Sequence, residues 1–461
     1  MTKRAIDKVL VANRGEIACR IVRACRKLGL ASVAVYSEAD AGALHVELAD
    51  AACAIGPSDA RDSYLRADKL LDAARRSGAD AVHPGYGFLS ERPSFATAVT
   101  EAGLVWIGPS AENIADMGDK ERARVLATRC GVPIVPGSGR FDAPDLAGIE
   151  DAAAQVGYPL LVKASAGGGG IGMRRVDEVS ALRATALATQ SMAAKAFGDG
   201  TVYLERCIPV ARHVEVQVFG FGDGRAVHFH ERDCSTQRRF QKIIEESPAP
   251  GLPASIRERM ADAALRLCTA QRYEGAGTVE FIVDATSFEF FFLEMNTRIQ
   301  VEHPVTEMNT GRDLVALQID FARGALEGLE QGAIASRGHA IECRIYAENP
   351  AKHFLPSPGT LERFALPSQS AHVRIDTGYR AGDRVTHFYD PLIAKLVCHG
   401  DDRTEAIERM LDALLRTDIT GVATNVAFLR ATLSHPDFRA GGVSTGFVDA
   451  HRAELVERKA A

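Results

Sequence analysis

Two glutamates inside a strongly apolar run are the first residues of this chain whose types and spacing imply chemistry. The stretch GTVEFIVDATSFEFFFLEMN (277–296) reads as a β-hairpin turning near Ser287, with Glu280 and Glu294 each seven residues from the turn and therefore opposite one another. Like charges facing across a ladder repel, and half-buried they are costly without a partner. By period two, Phe290 and Phe292 share the face of Glu294, which argues against a solvent-facing position. A divalent cation resolves the conflict, since Mg²⁺ commonly takes one or two carboxylates and fills its shell with phosphate and water. The competing reading is two exposed acids on the polar face of a sheet.

The hairpin runs straight into NTRIQVEH (296–303). In an extended chain Asn296, Arg298, Gln300 and Glu302 project to one side, placing a cation, an amide and a carboxylate beside the proposed metal. Such a row suits a small planar oxyanion, held by Arg298 and deprotonated by Glu302. An exposed polar strand edge is the plainer alternative.

A third signal is KASAGGGGIGM (163–173), which follows a predicted strand at Leu160–Lys163. Its glycines let the backbone approach a phosphate and form an anion nest. It matches neither the P-loop nor the dinucleotide fingerprint, so a plain surface loop competes on equal terms until Lys163 is counted. Lys120, in Met-Gly-Asp-Lys, is a second phosphate candidate that alone would pass for a solvated helix lysine. The run ERDCSTQRRFQK (231–242) is dense in charge, and such runs are usually solvated faces. His213 reads as a candidate core histidine, and Arg344 as a salt-bridged strand residue.

The elements that position these groups begin with a β-α-β unit. Residues 8–12 form a buried strand, and Ile17, Ile21, Cys25 and Leu28 mark one face of a helix that stops at Gly29. Ala31–Tyr36 is the next strand, followed by helices near 66–77 and 91–102 and strands at 79–83 and 104–107. This alternation predicts a doubly wound parallel sheet closing near Gly108-Pro109. A mostly helical segment at 110–133 follows, then a linker marked by Pro133, Pro136, Gly137 and Gly139, then an α+β region. A third region starts near Arg337 and contains a helix near 403–415.

The chain has 461 residues, 46% of them hydrophobic and 25% charged, a soluble globular balance spread over more than one core. With 54 basic and 60 acidic residues it lacks the basic excess of a nucleic-acid binder. No stretch reaches the length of a membrane span. The nine scattered cysteines form no Cys-x-x-Cys pair, and the N-terminus shows no apolar signal run, so a cytoplasmic location is expected.

Taken together the motifs resemble the biotin carboxylase component of biotin-dependent carboxylases, over nearly the whole chain. The segments that carry the resemblance include VLVANRGEIACRI (9–21), HPGYGFLSE (83–91), RHVEVQV (212–218), ERDCSTQRR (231–239), EMNTRIQVEHPVTE (294–307), HAIECRIYAE (339–348) and YDPLIAKL (389–396). The resemblance implies a Rossmann-like N-terminal domain (1–117), an ATP-grasp core (118–335) with a glycine-rich lid at about 135–207, and a C-terminal domain (336–455), an α/β and α+β fold. It implies that Lys120, Lys163 and the loop glycines Gly168, Gly169 and Gly170 contact ATP phosphates, with Glu205, His213 and Gln237 near the nucleotide. Glu280, Glu294 and Asn296 would hold Mg²⁺ or Mn²⁺. Lys242, Arg298, Gln300 and the Val301 backbone would bind bicarbonate, Glu302 would be the general base, and Arg344 would stabilise the biotin enolate. The implied reaction passes through carboxyphosphate, made from ATP and bicarbonate, to carboxylated biotin.

The chain contains no Met-Lys-Met biotinylation site. The biotin is therefore expected on a separate biotin carboxyl carrier protein, or else the chain is one domain of a longer polypeptide; the resemblance further implies carboxyltransferase subunits and a second copy in a homodimer, and no nucleic acid or membrane partner is expected. Acetyl-CoA carboxylase, and with it fatty acid biosynthesis, is the first expectation for the whole enzyme. A propionyl- or methylcrotonyl-type acyl-CoA carboxylase is the alternative, and another ATP-grasp carboxylate–amine ligase ranks well below. Three positions depart from the family pattern: Phe240 where a polar residue is common, Ile171 in the lid where Lys or Arg is usual, and Lys27 where an acid is frequent near the dimer interface. Phe240 is expected to weaken nucleotide binding, so Phe240→His should lower the KM for ATP; an unchanged KM would remove that idea.

Overall fold

The computed structural model describes residues 5–165, 172–239, 241–326 and 328–457. Gly168, Gly169, Gly170, Ile171 and Phe240 lie outside the described residues.

β1 (Lys8–Val11) is buried along almost its whole length, the pattern of a strand covered on both faces. It pairs in parallel with β2 (Ala31–Ser37) and with β4 (Ala81–His83), while β3 (Ala51–Gly56) and β5 (Val105–Trp106) complete the order β3-β2-β1-β4-β5. This is the expected doubly wound sheet, with β3 an addition that the sequence pattern did not show. Helix α1 (Gly15–Lys27) buries Ile17, Ile21 and Cys25 as the periodicity predicts, and its first turn carries Glu16 toward the cleft described below.

A second, four-stranded sheet has the order β6-β9-β7-β8, built from β6 (Gly137–Phe141), β7 (Leu160–Ala164), β8 (Met173–Val176) and β9 (Val202–Arg206). Here the reading of Gly137 and Gly139 as linker residues is corrected, because they lie in β6. A Cβ on Gly137 would stand 2.8 Å from the Leu204 carbonyl oxygen, so glycine at this position allows the close approach of β9 and does not mark a break.

The central sheet has eight strands. β10 (Ala211–Phe221), β11 (Ala226–Arg238), β12 (Gln241–Ser247), β13 (Glu274–Asp284), β14 (Phe290–Asn296) and β15 (His339–Tyr346) are joined by the strands Leu392–Gly400 and Val373–Thr377. Their order is β14-β13-β10-β11-β12-β15, then Leu392–Gly400 and Val373–Thr377. Residues beyond 336 thus continue the same sheet, with β15 hydrogen-bonded to β12. One face is apolar: Val214, Val216, Val218, Val279 and Phe281 pack against Met260, Ala264 and Leu267 of the helix Ala254–Ala270. Period two sends the alternate residues of β10, namely His213, Glu215 and Gln217, to the opposite face.

A buried clasp ties this sheet to the helix Arg403–Leu415. Glu246 of β12 meets His339 Nε2 at 2.7 Å and Arg403 Nε at 2.6 Å. Burial alone would push the Glu246 carboxyl up, but His339 and Arg403 outweigh it and bring it from 4.5 down to about 2. A depressed carboxyl stabilises the fold above its unfolded value and loses that contribution as the pH falls through its folded value. The destabilisation caused by Glu246→Gln is therefore expected to be largest near neutrality and to shrink as the pH falls from 4.5 toward 2. Denaturation midpoints of the two proteins across that range check it; a constant gap would mean that the clasp is not titrating.

Candidate functional site

A single cleft of about 1080 Å³ lies over the polar face of the central sheet. The hairpin of β13 and β14 pairs Glu280 with Glu294, as its spacing predicts. The expectation that Phe290 and Phe292 share the face of Glu294 is not met. The register shifts between Glu280/Glu294 and Phe281/Phe292, which leaves Leu293 as an extra residue in β14. A bulge of this kind reverses the alternation. Phe290, Phe292 and Met295 accordingly enter the apolar core, while Leu293, Glu294 and Asn296 line the cleft.

Glu280 is the more heavily bonded of the two facing acids. Its Oε1 accepts from Lys242 Nζ at 2.9 Å, Asn296 Nδ2 at 2.8 Å and Gln300 Nε2 at 3.1 Å, and its Oε2 meets His213 Nε2 at 2.9 Å. Burial works against its charge, but Lys242 and His213 hold the carboxyl well below the ordinary range. Glu294 behaves in the opposite way: burial, and then the like charge of Glu280, push it up. Among the described residues no hydrogen bond or ion pair engages the Glu294 carboxylate. An acid open to the cleft beside a second acid is a donor set that fits a hard divalent cation. Asn296 is less free, because its Oδ1 accepts from Arg298 Nη2 at 2.8 Å.

The polar run extends only part of the way. Arg298 donates to Asn296 and, at 2.8 Å, to Gln300 Oε1, so these three share a side as expected. Glu91 fixes the other edge of the guanidinium at 3.0 Å. Glu302 departs from the row, because the chain turns at Val301 and Glu302 caps the helix His303–Thr310. It is fully buried, with Oε1 2.7 Å from Lys242 Nζ and Oε2 3.0 Å from Arg344 Nη2. Burial pushes this carboxyl up, yet Lys242, Arg344 and Arg232 together hold it well below its usual value, so it is anionic at neutral pH.

Lys242 is the hub. Its ammonium bridges Glu215 at 2.6 Å, Glu280 and Glu302, three carboxylates that would otherwise repel. Beneath it lies Arg232, fully buried, which donates to Glu215, Gln217, Thr306 and Thr278. The run 231–242 is therefore no solvated face. Glu231, Arg232, Asp233 and Arg238 are buried because each finds an ionic partner from elsewhere in the chain, and Gln237, also buried, lines the cleft. Sequence reasoning passed over Glu215 and Arg232; the signal for Glu215 was polar residues alternating with valine in RHVEVQV (212–218), and Arg232 lay within the charge run 231–242 itself.

Toward the other end of the cleft, Lys120, at the start of the helix Lys120–Arg129, and Lys163, at the end of β7, both line the cavity, as do His213 and Gln237. Glu205 does not. It is buried in β9 and paired with Lys163 and with Arg124, the latter at 2.8 Å. Val301 lines the cleft, and its carbonyl accepts from the fully buried Lys395 at 2.7 Å. Lys395 is also 3.1 Å from Glu16, so residues from both ends of the chain brace the 300–302 turn. The sequence reading gave Lys395 no role.

Comparison with known proteins agrees with this geometry. Residues 5–114 match the family model "Biotin carboxylase, N-terminal domain", 119–329 match "Carbamoyl-phosphate synthase L chain, ATP binding domain", and 342–450 match "Biotin carboxylase C-terminal domain". The chain is 50% identical to the mitochondrial methylcrotonoyl-CoA carboxylase subunit alpha of Glycine max over 98% of its own length and 62% of that protein's. It is 48% identical to biotin carboxylase 1 of Bacillus subtilis, over 97% of this chain and 99% of that one. Among solved structures, the biotin carboxylase domain dimer of Hydrogenobacter thermophilus 2-oxoglutarate carboxylase, in complex with MgADP, ADP and bicarbonate, superposes with a TM-score of 0.91. It is 42% identical, and the match covers 99% of this chain and all of that one.

Proposed function

The chain belongs to the biotin carboxylase family of ATP-grasp ligases, which carboxylate biotin, and from that premise we propose that it uses ATP and bicarbonate to carboxylate a carrier-borne biotin in the cleft just described. The observation that carries this reading is the convergence, in one cavity, of Lys120 and Lys163, the facing acids Glu280 and Glu294, and the group Lys242, Arg298, Gln300, Val301 and Arg344.

In this reading Lys120 and Lys163 bind the nucleotide phosphates. Glu294 and Glu280 are the residues that would hold Mg²⁺ or Mn²⁺, with Asn296 behind them, and a cation there supplies positive charge for the transferring phosphoryl group. Lys242, Arg298, Gln300 and the Val301 backbone orient bicarbonate. Glu302, anionic and adjacent to that turn, accepts the bicarbonate proton. Arg344 then faces the negative charge that develops on the biotin ureido group.

The chain spans 62% of the length of the methylcrotonoyl-CoA carboxylase relative, so the complete assembly is part of the proposal. We place the chain in an acyl-CoA carboxylase of the methylcrotonoyl type, on the support of the 50% identity. Service to acetyl-CoA carboxylase, and so to fatty acid synthesis, is the second reading, favoured by the end-to-end match with the Bacillus protein. Either reading includes a biotin carrier and carboxyltransferase partners, and a homodimer like the one described for the Hydrogenobacter domain. A reducing compartment such as the cytoplasm suits the nine free cysteines.

The test is bicarbonate-dependent ATP hydrolysis by the purified chain, with and without free biotin and Mg²⁺. Stimulation by biotin that requires bicarbonate and Mg²⁺ supports the reading. If neither free biotin nor a biotinylated carrier stimulates a folded, nucleotide-binding protein, the reading is wrong and a carboxylate–amine ligase takes its place.

A further inference from the structure

Arg344 has two ionic anchors, and the mechanism above uses only one of them. Its Nη2 lies 3.0 Å from Glu302 and 2.6 Å from Glu245 of β12. Its remaining nitrogens are poorly held: Nε has no hydrogen-bond partner, and Nη1 reaches the Tyr346 hydroxyl only at 3.5 Å. Glu245 is fully buried and, unlike Glu302, makes no ion pair with Lys242 of the bicarbonate group; its one ion pair among the described residues is with Arg344. Burying a second carboxylate is costly, and Glu302 alone would satisfy the arginine in the resting protein.

The two anchors differ once the reaction starts. Glu302 changes charge when it accepts the bicarbonate proton, and its ion pair with Arg344 then weakens. Glu245 takes no part in that proton transfer and keeps its hold. Burial pushes the Glu245 carboxyl up to about 7 against the pull of Arg344, and the charge of Glu302 adds to that push. Neutralising Glu302 therefore makes Glu245 the better anion at the moment when Arg344 needs one. Glu342, opposite Glu245 in the ladder, does not compete: it is fully buried, and burial holds its carboxyl well above the ordinary range, as a neutral acid.

We propose that Glu245 is a positioning residue that holds Arg344 in place for the biotin enolate while Glu302 carries the proton taken from bicarbonate. The proposal rests on the biotin carboxylase reading and separates two steps that Arg344 and Glu302 otherwise link.

Glu245→Gln keeps the size of the side chain and removes its charge. Two rates are measured: bicarbonate-dependent ATP hydrolysis without biotin, and the increment on adding free biotin. The increment is expected to fall about tenfold or more and the biotin-free rate about twofold or less. In an Arg344→Gln background, Glu245→Gln should cause no further loss of the increment. Glu342→Gln, equally buried but without an ion pair to Arg344, should leave the ratio of the two rates as in the wild type. Equal losses in both rates, or losses that add to those of Arg344→Gln, overturn the proposal in favour of a purely structural role. If Glu245→Gln does not fold, Glu245→Asp carries the same comparison. A wild-type protein with no increment on either free biotin or a biotinylated carrier would instead sink the biotin carboxylase reading itself.

Discussion

Glu302→Gln is expected to lower bicarbonate-dependent ATP hydrolysis by a factor of about 10²–10⁴, the usual contribution of a positioned general base. Glu302 is fully buried between Lys242 and Arg344, which keeps it anionic in the resting protein at neutral pH. A glutamine fills the same space but cannot accept a proton. It also cannot satisfy both neighbours, since one amide edge must point N–H groups at a cation. Part of the loss could therefore come from local rearrangement, and nucleotide binding separates the two causes. Lys120 and Lys163 sit on other elements, so the affinity for Mg-nucleotide should change by less than about threefold. Retained binding with lost hydrolysis identifies a proton-transfer role. Hydrolysis within a few-fold of the wild type would remove Glu302 from the chemistry.

Lys242→Met is expected to have the largest effect on stability, about 3–5 kcal/mol at neutral pH, the range found when one partner of a buried ion pair is removed. The ammonium is the only cation shared by Glu215, Glu280 and Glu302 among the described residues. Without it, three carboxylates face one another with Arg232, His213 and Arg344 as partial compensation. The pH dependence gives the sign. Removing Lys242 raises the folded-state values of these acids, so they bind protons more readily than in the unfolded chain. A group raised in this way costs nothing below its unfolded value and destabilises the fold most above its folded value. The gap between variant and wild type should therefore be widest near neutrality and narrow as the pH is lowered and these acids protonate, read from denaturation midpoints. A gap independent of pH would mean that the loss is one of packing, with no contribution from uncompensated charge.

The core of this site was legible in the primary structure. A turn near Ser287 predicted Glu280 against Glu294, and the pair is observed, although the extra residue Leu293 is what brings Glu294 opposite Glu280; period two placed Asn296, Arg298 and Gln300 on one side, a relation between near neighbours in the chain. The same local logic gave β1, α1 and β2 and the parallel sheet they start. Lys120, Lys163, His213, Gln237, Lys242 and Arg344, suggested by motif resemblance, all reach the same cleft.

What local pattern could not decide was set by strands meeting from distant parts of the chain. The extra residue Leu293 depends on how β14 meets β13, and it moved Phe290 and Phe292 to the core and Glu294 to the cleft. The charge run 231–242 looked solvated because its counter-charges, Arg212, Glu215, Arg257 and Glu348, come from elsewhere in the sequence. Gly137 looked like a break because the Leu204 carbonyl that needs its missing side chain lies in another strand. Sequence alone determined which groups are suited to the proposed chemistry, since side-chain type and short-range spacing fix what a residue can bind. The tertiary structure decided which of those groups stay charged, because the field at a buried carboxylate comes from cations that the fold brings from other parts of the chain: Lys242 and Arg344 to Glu302, Arg344 to Glu245, and Lys395 to Glu16.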